Sequence, residues 1–254
     1  MMHWPAEAIW EALYPQLPDF TVEVLPQLDS TNSELMRRIR AGRLEPTLLV
    51  AEQQTAGRGR LGRGWQSQAG DSLTFSLTLP LAPRDWSGLS LAVGLSVADS
   101  LHPALQLKWP NDLWLQGRKL AGILIETAGM GEQRHVVVGI GINIAARPAD
   151  GLSTAPAWLQ ELLPEVDAGQ ALLRIAAPLV QTLRAFERSG FAPFHAGFAQ
   201  RDALRDTAVT LSNGTVGMAR GVDVQGGLQV QTPAGLQLVT SAEVSVRPLA
   251  PPAE

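Results

Sequence analysis

An α+β fold with a small all-β tail is predicted by three features of this sequence. Helix-like and strand-like segments succeed one another irregularly as far as residue 205. Beyond it come five short strand-like runs, AVTLS, TVGMARGVD, GLQVQT, GLQLVT and EVSVRP, separated by Asn213-Gly214, Gly226-Gly227 and Pro233-Ala234-Gly235. Strands that short, punctuated by turn residues, are the signature of a small barrel. The length of 254 residues is enough for one large domain and a small one. The expected division is 1–205, with 1–27 as a short lead-in, and 206–254.

Residues 1–20 read as a short helix ended by Pro15 and Pro18, and TVEVLPQL (21–28) as a strand. Thr31 and Glu34 have capping-box spacing and open a helix that closes on Gly42. TLLVAEQQ (47–54) is a strand, followed by a glycine-arginine loop. In DSLTFSLTLP (71–80) Leu73, Phe75, Leu77 and Leu79 alternate on one face, which predicts a half-buried strand. Residues 86–101 form an apolar helix, and LQLKWPNDLWL (105–115) a strand interrupted at Pro110. The polar turn at 116–118 leads into KLAGILIET (119–127) as a hairpin, and RHVVVGIGINI (134–144) is a further strand. Residues 169–190 make a long amphipathic helix with a kink expected at Pro178, and a shorter helix or turn covers 191–202.

Composition narrows the chemistry. A net charge of −4 argues against general nucleic-acid binding, so any positive site must be local. The absence of cysteine excludes disulfides, zinc-thiolate sites and thiol nucleophiles. No basic leader and no run of 18 apolar residues is visible, so a cytoplasmic protein without membrane contact is expected. Of the 20 basic side chains only two, Lys108 and Lys119, are lysine. Both fall in the motif-rich third of a chain that otherwise uses arginine, which marks them as places needing a compact ammonium. His3, His102, His135 and His195 match no catalytic or metal-ligand spacing and are assigned structural roles.

The loop GRGRLGRGW (57–65) fits G-x-G-x-x-G at Gly57, Gly59 and Gly62. A dinucleotide turn requires a helix straight after the glycines, and here QSQAGDS leads into a strand instead. A P-loop would need Gly-Lys-Ser/Thr, which is also missing. What remains is either a basic surface loop or an anion-binding loop. In the second reading glycines let backbone N–H groups approach, arginines supply forked donors, and Trp65 offers a flat face for a ring.

These residues resemble the signature loop of the biotin–protein ligases (the biotin–[acetyl-CoA-carboxylase] ligase family). Lys108-Trp109-Pro110-Asn111-Asp112 resembles that family's second motif and Lys119-Leu120-Ala121-Gly122-Ile123-Leu124 its third. Asp29-Ser30-Thr31-Asn32 is similar to the start of its first helix and Gly139-Ile140-Gly141-Ile142-Asn143 to its glycine strand. The ordered set spans about residues 28–144. The resemblance implies a mixed-sheet catalytic domain with helices packed on it, an SH3-like C-terminal β-barrel, and an ATP-dependent reaction with Mg²⁺. Biotin would be activated as biotinyl-5′-AMP and passed to a lysine of a biotin carboxyl carrier protein. No covalent enzyme nucleophile is needed, and catalysis would rest on positioning and on stabilising phosphate charge.

By the same resemblance, Ser30, Thr31, Asn32 and Gln54 would serve biotin's ureido head, with Gly122, Gly139 and Gly141 supplying backbone and Gly57 and Gly59 shaping the loop. Ser30, Thr31 and Asn32 can also be plain helix-capping residues. Arg58 and Arg60 would meet the biotin carboxylate and α-phosphate, Arg63 the distal phosphates, and Trp65 the adenine. Lys119 would sit at the carboxylate–phosphate junction. Lys108 and Asn111 would bind phosphate and ribose, and Asn143 and Arg247 the nucleotide. Asp112 would orient the acceptor lysine or help hold Mg²⁺. Trp109 reads as core packing. The tail matches at Gly217–Asp223, Gly227, Glu243 and Arg247. Bifunctional relatives carry a helix-turn-helix domain before the core, whereas 28 residues precede Asp29 here. A monofunctional ligase without specific DNA binding is therefore expected, as monomer or homodimer. A lipoate or octanoate ligase of the same fold and a non-catalytic biotin or nucleotide sensor are the rivals.

Overall fold

The computed structural model describes residues 4–130, 133–146, 155–240 and 246–249. A seven-stranded mixed sheet forms the main body. In chain order its elements are α1 (Ala6–Leu13), β1 (Thr21–Leu28), α2 (Thr31–Arg40) and β2 (Thr47–Gln54). A tiny hairpin follows, β3 (Gly57–Arg58) and β4 (Gly64–Trp65), and then β5 (Ser72–Pro80) and α3 (Leu89–Leu101). Next come β6 (Gln106–Lys108), β7 (Asp112–Leu115), β8 (Arg118–Met130), β9 (Gln133–Asn143), α4 (Ala168–Ser189) and α5 (His195–Arg201). The order across the sheet is β1-β2-β5-β9-β8-β7-β6, with β1 and β2 parallel and the remaining neighbours antiparallel.

Period-two alternation gives this sheet two unlike faces. Leu73, Phe75, Leu77 and Leu79 of β5, with Val136, Val138, Ile140 and Ile142 of β9, enter one continuous core. That core is roofed by α3, α4 and α1, which pack on one another. On the opposite face α2 covers only a small cluster, placing Leu35, Met36 and Ile39 against Leu49 and Val137. The rest of this face carries Ser72, Thr74 and Ser76 on β5 and Gly139 and Gly141 on β9.

Four expectations need correction. Residues 71–80 are not half buried: β5 is buried on both faces over eight of its nine residues. Its polar face consists of small hydroxyls that bond internally, Thr74 Oγ1 to Ala51 O at 2.8 Å and Thr78 Oγ1 to Val136 O at 2.9 Å. Residues 105–115 are not one interrupted strand. β6 and β7 pair antiparallel (Gln106 with Trp114, Lys108 with Asp112), so the chain reverses at Trp109-Pro110-Asn111. The cap of α2 is Ser30, whose hydroxyl accepts from Ser33 N at 3.4 Å; Glu34 turns instead to Arg37 and Arg38. Residues 57–65 are not simply an open loop, because Gly57 and Arg58 pair with Trp65 and Gly64 around a 3₁₀ turn.

The remaining strands and helices fall where the sequence places them. Gln116 and Gly117 take positive φ (50° and 75°), the tight turn that joins β7 to β8. A true capping box, Asp167 with Gln170, starts α4, which continues through Pro178. The five tail strands all form: β10 (Ala208–Leu211), β11 (Val216–Val222), β12 (Leu228–Thr232), β13 (Gly235–Val239) and β14 (Val246–Pro248). They make an antiparallel sheet in the order β13-β12-β11-β10-β14. Its Val209, Leu211, Leu228 and Val230 belong to the same core as the main sheet. Trp109 is fully buried at this junction and donates Nε1–H to Gly226 O at 3.0 Å, while His195 Nε2 bonds Val222 O at 2.8 Å. Among the described residues no helix is long and apolar enough to cross a membrane.

Candidate active site

The exposed half of the α2 face is a cleft with about 880 Å³ of empty space, part of it open to solvent. The middle of its floor is backbone left bare by three glycines. Register sets Thr74, Gly141 and Gly122 across β5, β9 and β8, and beside them Ser76, Gly139 and Leu124. A Cβ on Gly139 would overlap Asn32 Oδ1, and one on Gly141 would overlap the Trp65 ring. On Gly122 it would stand 3.2 Å from Lys119 Nζ. Gly139 and Gly141 are thus needed for close approach, not for turns, while at Gly122 the flexible end of Lys119 is the nearest neighbour.

At one end the N-terminus of α2 presents Ser30, Thr31 and Asn32, all buried. Thr31 donates from N and Oγ1 to Gln54 Oε1 at 2.7 and 3.1 Å. Ser76 Oγ lies 2.7 Å from Thr31 Oγ1 and 2.6 Å from Asn32 Oδ1, so its single proton serves one acceptor at a time. Asn32 Nδ2 donates to Leu124 O (3.1 Å) and to Glu126 Oε2 (3.0 Å). Donors and acceptors therefore alternate in a compact cluster able to bind a planar urea-like group on both polarities.

The β3–β4 hairpin forms one lip. Arg58 donates Nε–H to Ser33 Oγ at 2.9 Å and Nη2–H to Glu126 Oε2 at 2.6 Å. Arg60 reaches Asn111 Oδ1 at 3.4 Å, and Arg63 also lines the cleft. Leu61, at the tip, takes φ +55° beside Gly62 at +72°. Burial pulls the Arg60 pKa below its ordinary value, with the Asp112 charge opposing.

The opposite lip is the β6–β7 reversal. Lys119 Nζ lies 2.7 Å from Asp112 Oδ1, and Lys108 Nζ lies 3.9 Å from Asp112 Oδ2 and 5.5 Å from the Trp114 ring centroid. Burial lowers the Lys108 pKa; Asp112 opposes this, and Lys119, Arg63 and Arg60 add to it. Asn111 is fixed by Nδ2–H to Ile123 O at 2.7 Å. Arg58 and Arg60 from the hairpin, Lys108 from β6 and Lys119 from β8 thus come to one cavity, with Asp112 between the two ammonium groups. Such an arrangement of charge suits anionic ligands.

Most of the expected residues meet here: Ser30, Thr31, Asn32, Gln54, Arg58, Gly59, Arg60, Arg63, Trp65, Lys108, Asn111, Asp112, Lys119, Gly122, Gly139 and Gly141 all line the cleft. Three do not line it. Gly57 serves the hairpin, where a Cβ would overlap Trp65 O and stand 2.9 Å from Gln54 Nε2. Asn143, two residues beyond Gly141 on the same face of β9, is buried and donates Nδ2–H to Ala157 O at 3.0 Å. Arg247 is an exposed residue of β14, opposite Thr210. Glu243 lies outside the described residues. Trp65 is present but sits on the glycines assigned to the ureido end, with Lys119 Nζ 5.9 Å from its ring centroid.

Among the described residues, Asp112 belongs to no ready-made metal cage of protein side chains. Its carboxylate is engaged by Lys119, and no group of three or more metal-ligating side chains occurs among the described residues. Sequence reasoning missed Ser76, Thr74 and Glu126. A strand whose polar positions are all Ser or Thr, with no charge, is a signal that the polar face is buried, and that signal could have found the first two.

Comparison with known proteins places the geometry. Residues 24–143 match the biotin/lipoate A/B protein ligase family, and residues 205–247 the biotin protein ligase C-terminal domain. The biotin–[acetyl-CoA-carboxylase] ligase of Paracoccus denitrificans is 35% identical over 240 residues, covering 87% of this chain and 98% of that one. The chain belongs to the biotin protein ligase family. The bifunctional ligase/repressor of Escherichia coli is 37% identical over 247 residues, covering 91% of this chain and 76% of that protein. Among solved structures, the biotin protein ligase from Aquifex aeolicus in complex with biotin and ATP aligns with a TM-score of 0.77 at 31% identity, covering 90% of this chain and 99% of that one. The mixed sheet and the small C-terminal sheet are therefore those of a biotin protein ligase.

Proposed function

We propose that this protein activates biotin with ATP and transfers it to a lysine of a biotin carboxyl carrier protein. The observation that carries this reading is the convergence of Arg58, Arg60, Lys108 and Lys119 on one glycine-floored cleft with a polar cluster at its end. In the first step a biotin carboxylate oxygen attacks the α-phosphorus; the O–P anhydride bond forms and the bond to pyrophosphate breaks. Two anions must approach, and the four cationic groups offset that repulsion. In the second step the acceptor amine attacks the biotinyl carbonyl carbon, forming the amide and expelling AMP.

Thr31, Asn32, Ser76 and Gln54 are assigned to the ureido head and Gly122, Gly139 and Gly141 to the close backbone wall. Arg58, Arg60 and Lys119 serve the carboxylate and α-phosphate, and Arg63, Lys108 and Asn111 the rest of the nucleotide. Asp112 orients Lys119 and, after adenylation, the incoming acceptor amine. Mg²⁺ travels with the ATP phosphates, as that ion commonly does. The C-terminal match and the named relatives favour biotin over lipoate. Residues 206–254 are taken as a separate domain closing the nucleotide side, with the boundary near 205. The acidic balance supports a ligase without specific DNA binding, and a gel shift of a biotin-operon promoter would overturn that part.

Incubation with ATP, Mg²⁺, biotin and an acceptor domain, followed by avidin blotting, tests the whole reading. Labelling of the acceptor lysine is expected. No label, with lipoylation of a lipoyl domain instead, would replace it by the lipoate reading.

A further inference from the structure

Glu126 belongs to none of the motifs that mark the site, yet its carboxylate joins two of the site's parts. It projects from β8 with its side chain 25% exposed. One oxygen, Oε2, accepts from Asn32 Nδ2 in the polar cluster and from Arg58 Nη2 on the hairpin lip. Arg58 is also held through Nε by Ser33 Oγ of α2. The guanidinium is thus bracketed from a helix and from a central strand, although its own backbone belongs to a two-residue strand. Its side chain is 43% exposed, so without these acceptors a long flexible arm would be free to turn into solvent. Arginine carries five N–H donors, and the bracket occupies two of them. The others remain for ligand at the cleft that Arg58 lines.

We infer that Glu126 is a positioning residue for Arg58: it fixes the guanidinium at the cleft mouth, and it ties that placement to Asn32 in the polar cluster. The inference rests on the ligase reading, in which Arg58 meets the biotin carboxylate and α-phosphate. A pre-placed fork spends less of its binding on ordering the arm and more on the forming anhydride. The sequence gives no hint of this because residues 58 and 126 meet only through the fold.

The test is a double-mutant cycle read by single-turnover formation of biotinyl-AMP, with biotin and ATP varied separately. Glu126→Ala is expected to lower kcat/KM for biotin by at least ~10-fold, and Glu126→Gln, whose amide oxygen can still accept from Arg58, to stay within ~3-fold of wild type. Adding Glu126→Ala to Arg58→Ala is expected to cost less than ~3-fold more, because the residue acts through Arg58. Glu126→Ala at or above wild-type rate would overturn the inference, and so would a loss of more than ~3-fold persisting in the Arg58→Ala background. Failure of the wild-type protein to form the adenylate would refute the ligase reading itself, which is a separate outcome.

Discussion

The two faces of the seven-stranded sheet share strands, register and backbone, and differ in almost everything else. The face under α1, α3 and α4 is filled by leucine, valine, isoleucine and phenylalanine, whose packing holds the sheet together. The face beside α2 leaves Gly122, Gly139 and Gly141 bare and aims small hydroxyls inward. One set of residues keeps the molecule folded; the other leaves a shaped vacancy and surrounds it with charge. Stability and chemistry are therefore separable by which way a residue points, and alternate positions of a single strand should give opposite kinds of mutant.

The sharpest break of that separation is on the apolar face. Leu77 is 1% exposed and has no place at the cleft. Leu77→Ala should destabilise the protein by about 2–5 kcal/mol. Chemical denaturation would measure this, and the folded fraction should keep its biotin KM. Lys119→Ala should do the reverse. Its side chain is 44% exposed, so the melting temperature should change little. Biotinyl-AMP formation should fall by at least ~10²-fold, the scale of losing one charge-stabilising donor. Arg60→Ala should behave in the same way, and normal adenylation by either variant would remove that residue from its assigned role.

Gly139→Ala probes the floor. Its new Cβ meets Asn32 Oδ1, so the polar cluster must shift while the sheet can stay. Biotin KM should rise about 10-fold, one factor of ten being about 1.4 kcal/mol, with kcat changed less. Steady-state kinetics against biotin at saturating ATP would show it. An unchanged KM would mean that Asn32 does not touch biotin.

The smallest effect is at the start of α2. The Arg37 hydrogen bond holds the Asp29 carboxyl at about 2, below its ordinary 3.8, despite some burial. A depressed acid contributes stability that is complete above pH 3.8 and is lost as pH falls through about 2. Both side chains are substantially exposed, so Asp29→Asn should cost under ~1 kcal/mol at neutral pH. It should also flatten that part of the acid limb of melting temperature against pH. A larger loss would show that Asp29 supports the neighbouring cluster as well.

Legibility in the sequence follows the same division. Strand and helix periods exposed nearly every element, because the apolar face writes itself as alternation. The Lys108–Asp112 and Lys119–Gly122 stretches were legible because each packs several site residues into a few positions. The hairpin at Trp109-Pro110-Asn111 was not, since a single apolar run reads alike whether the chain continues or reverses. Glu126 escaped for another reason: its partner Arg58 lies 68 residues away. Asn143 shows the converse, a motif residue that does not line the cleft and whose amide nitrogen donates to Ala157 O.

The central claim is that the glycine-floored face activates biotin in particular. Biotin-dependent exchange of labelled pyrophosphate into ATP, measured on the wild-type protein without any acceptor, tests it most directly. Exchange should appear with biotin, vanish without it, and not be supported by lipoate. Equal exchange with lipoate, or none with biotin, would contradict the account.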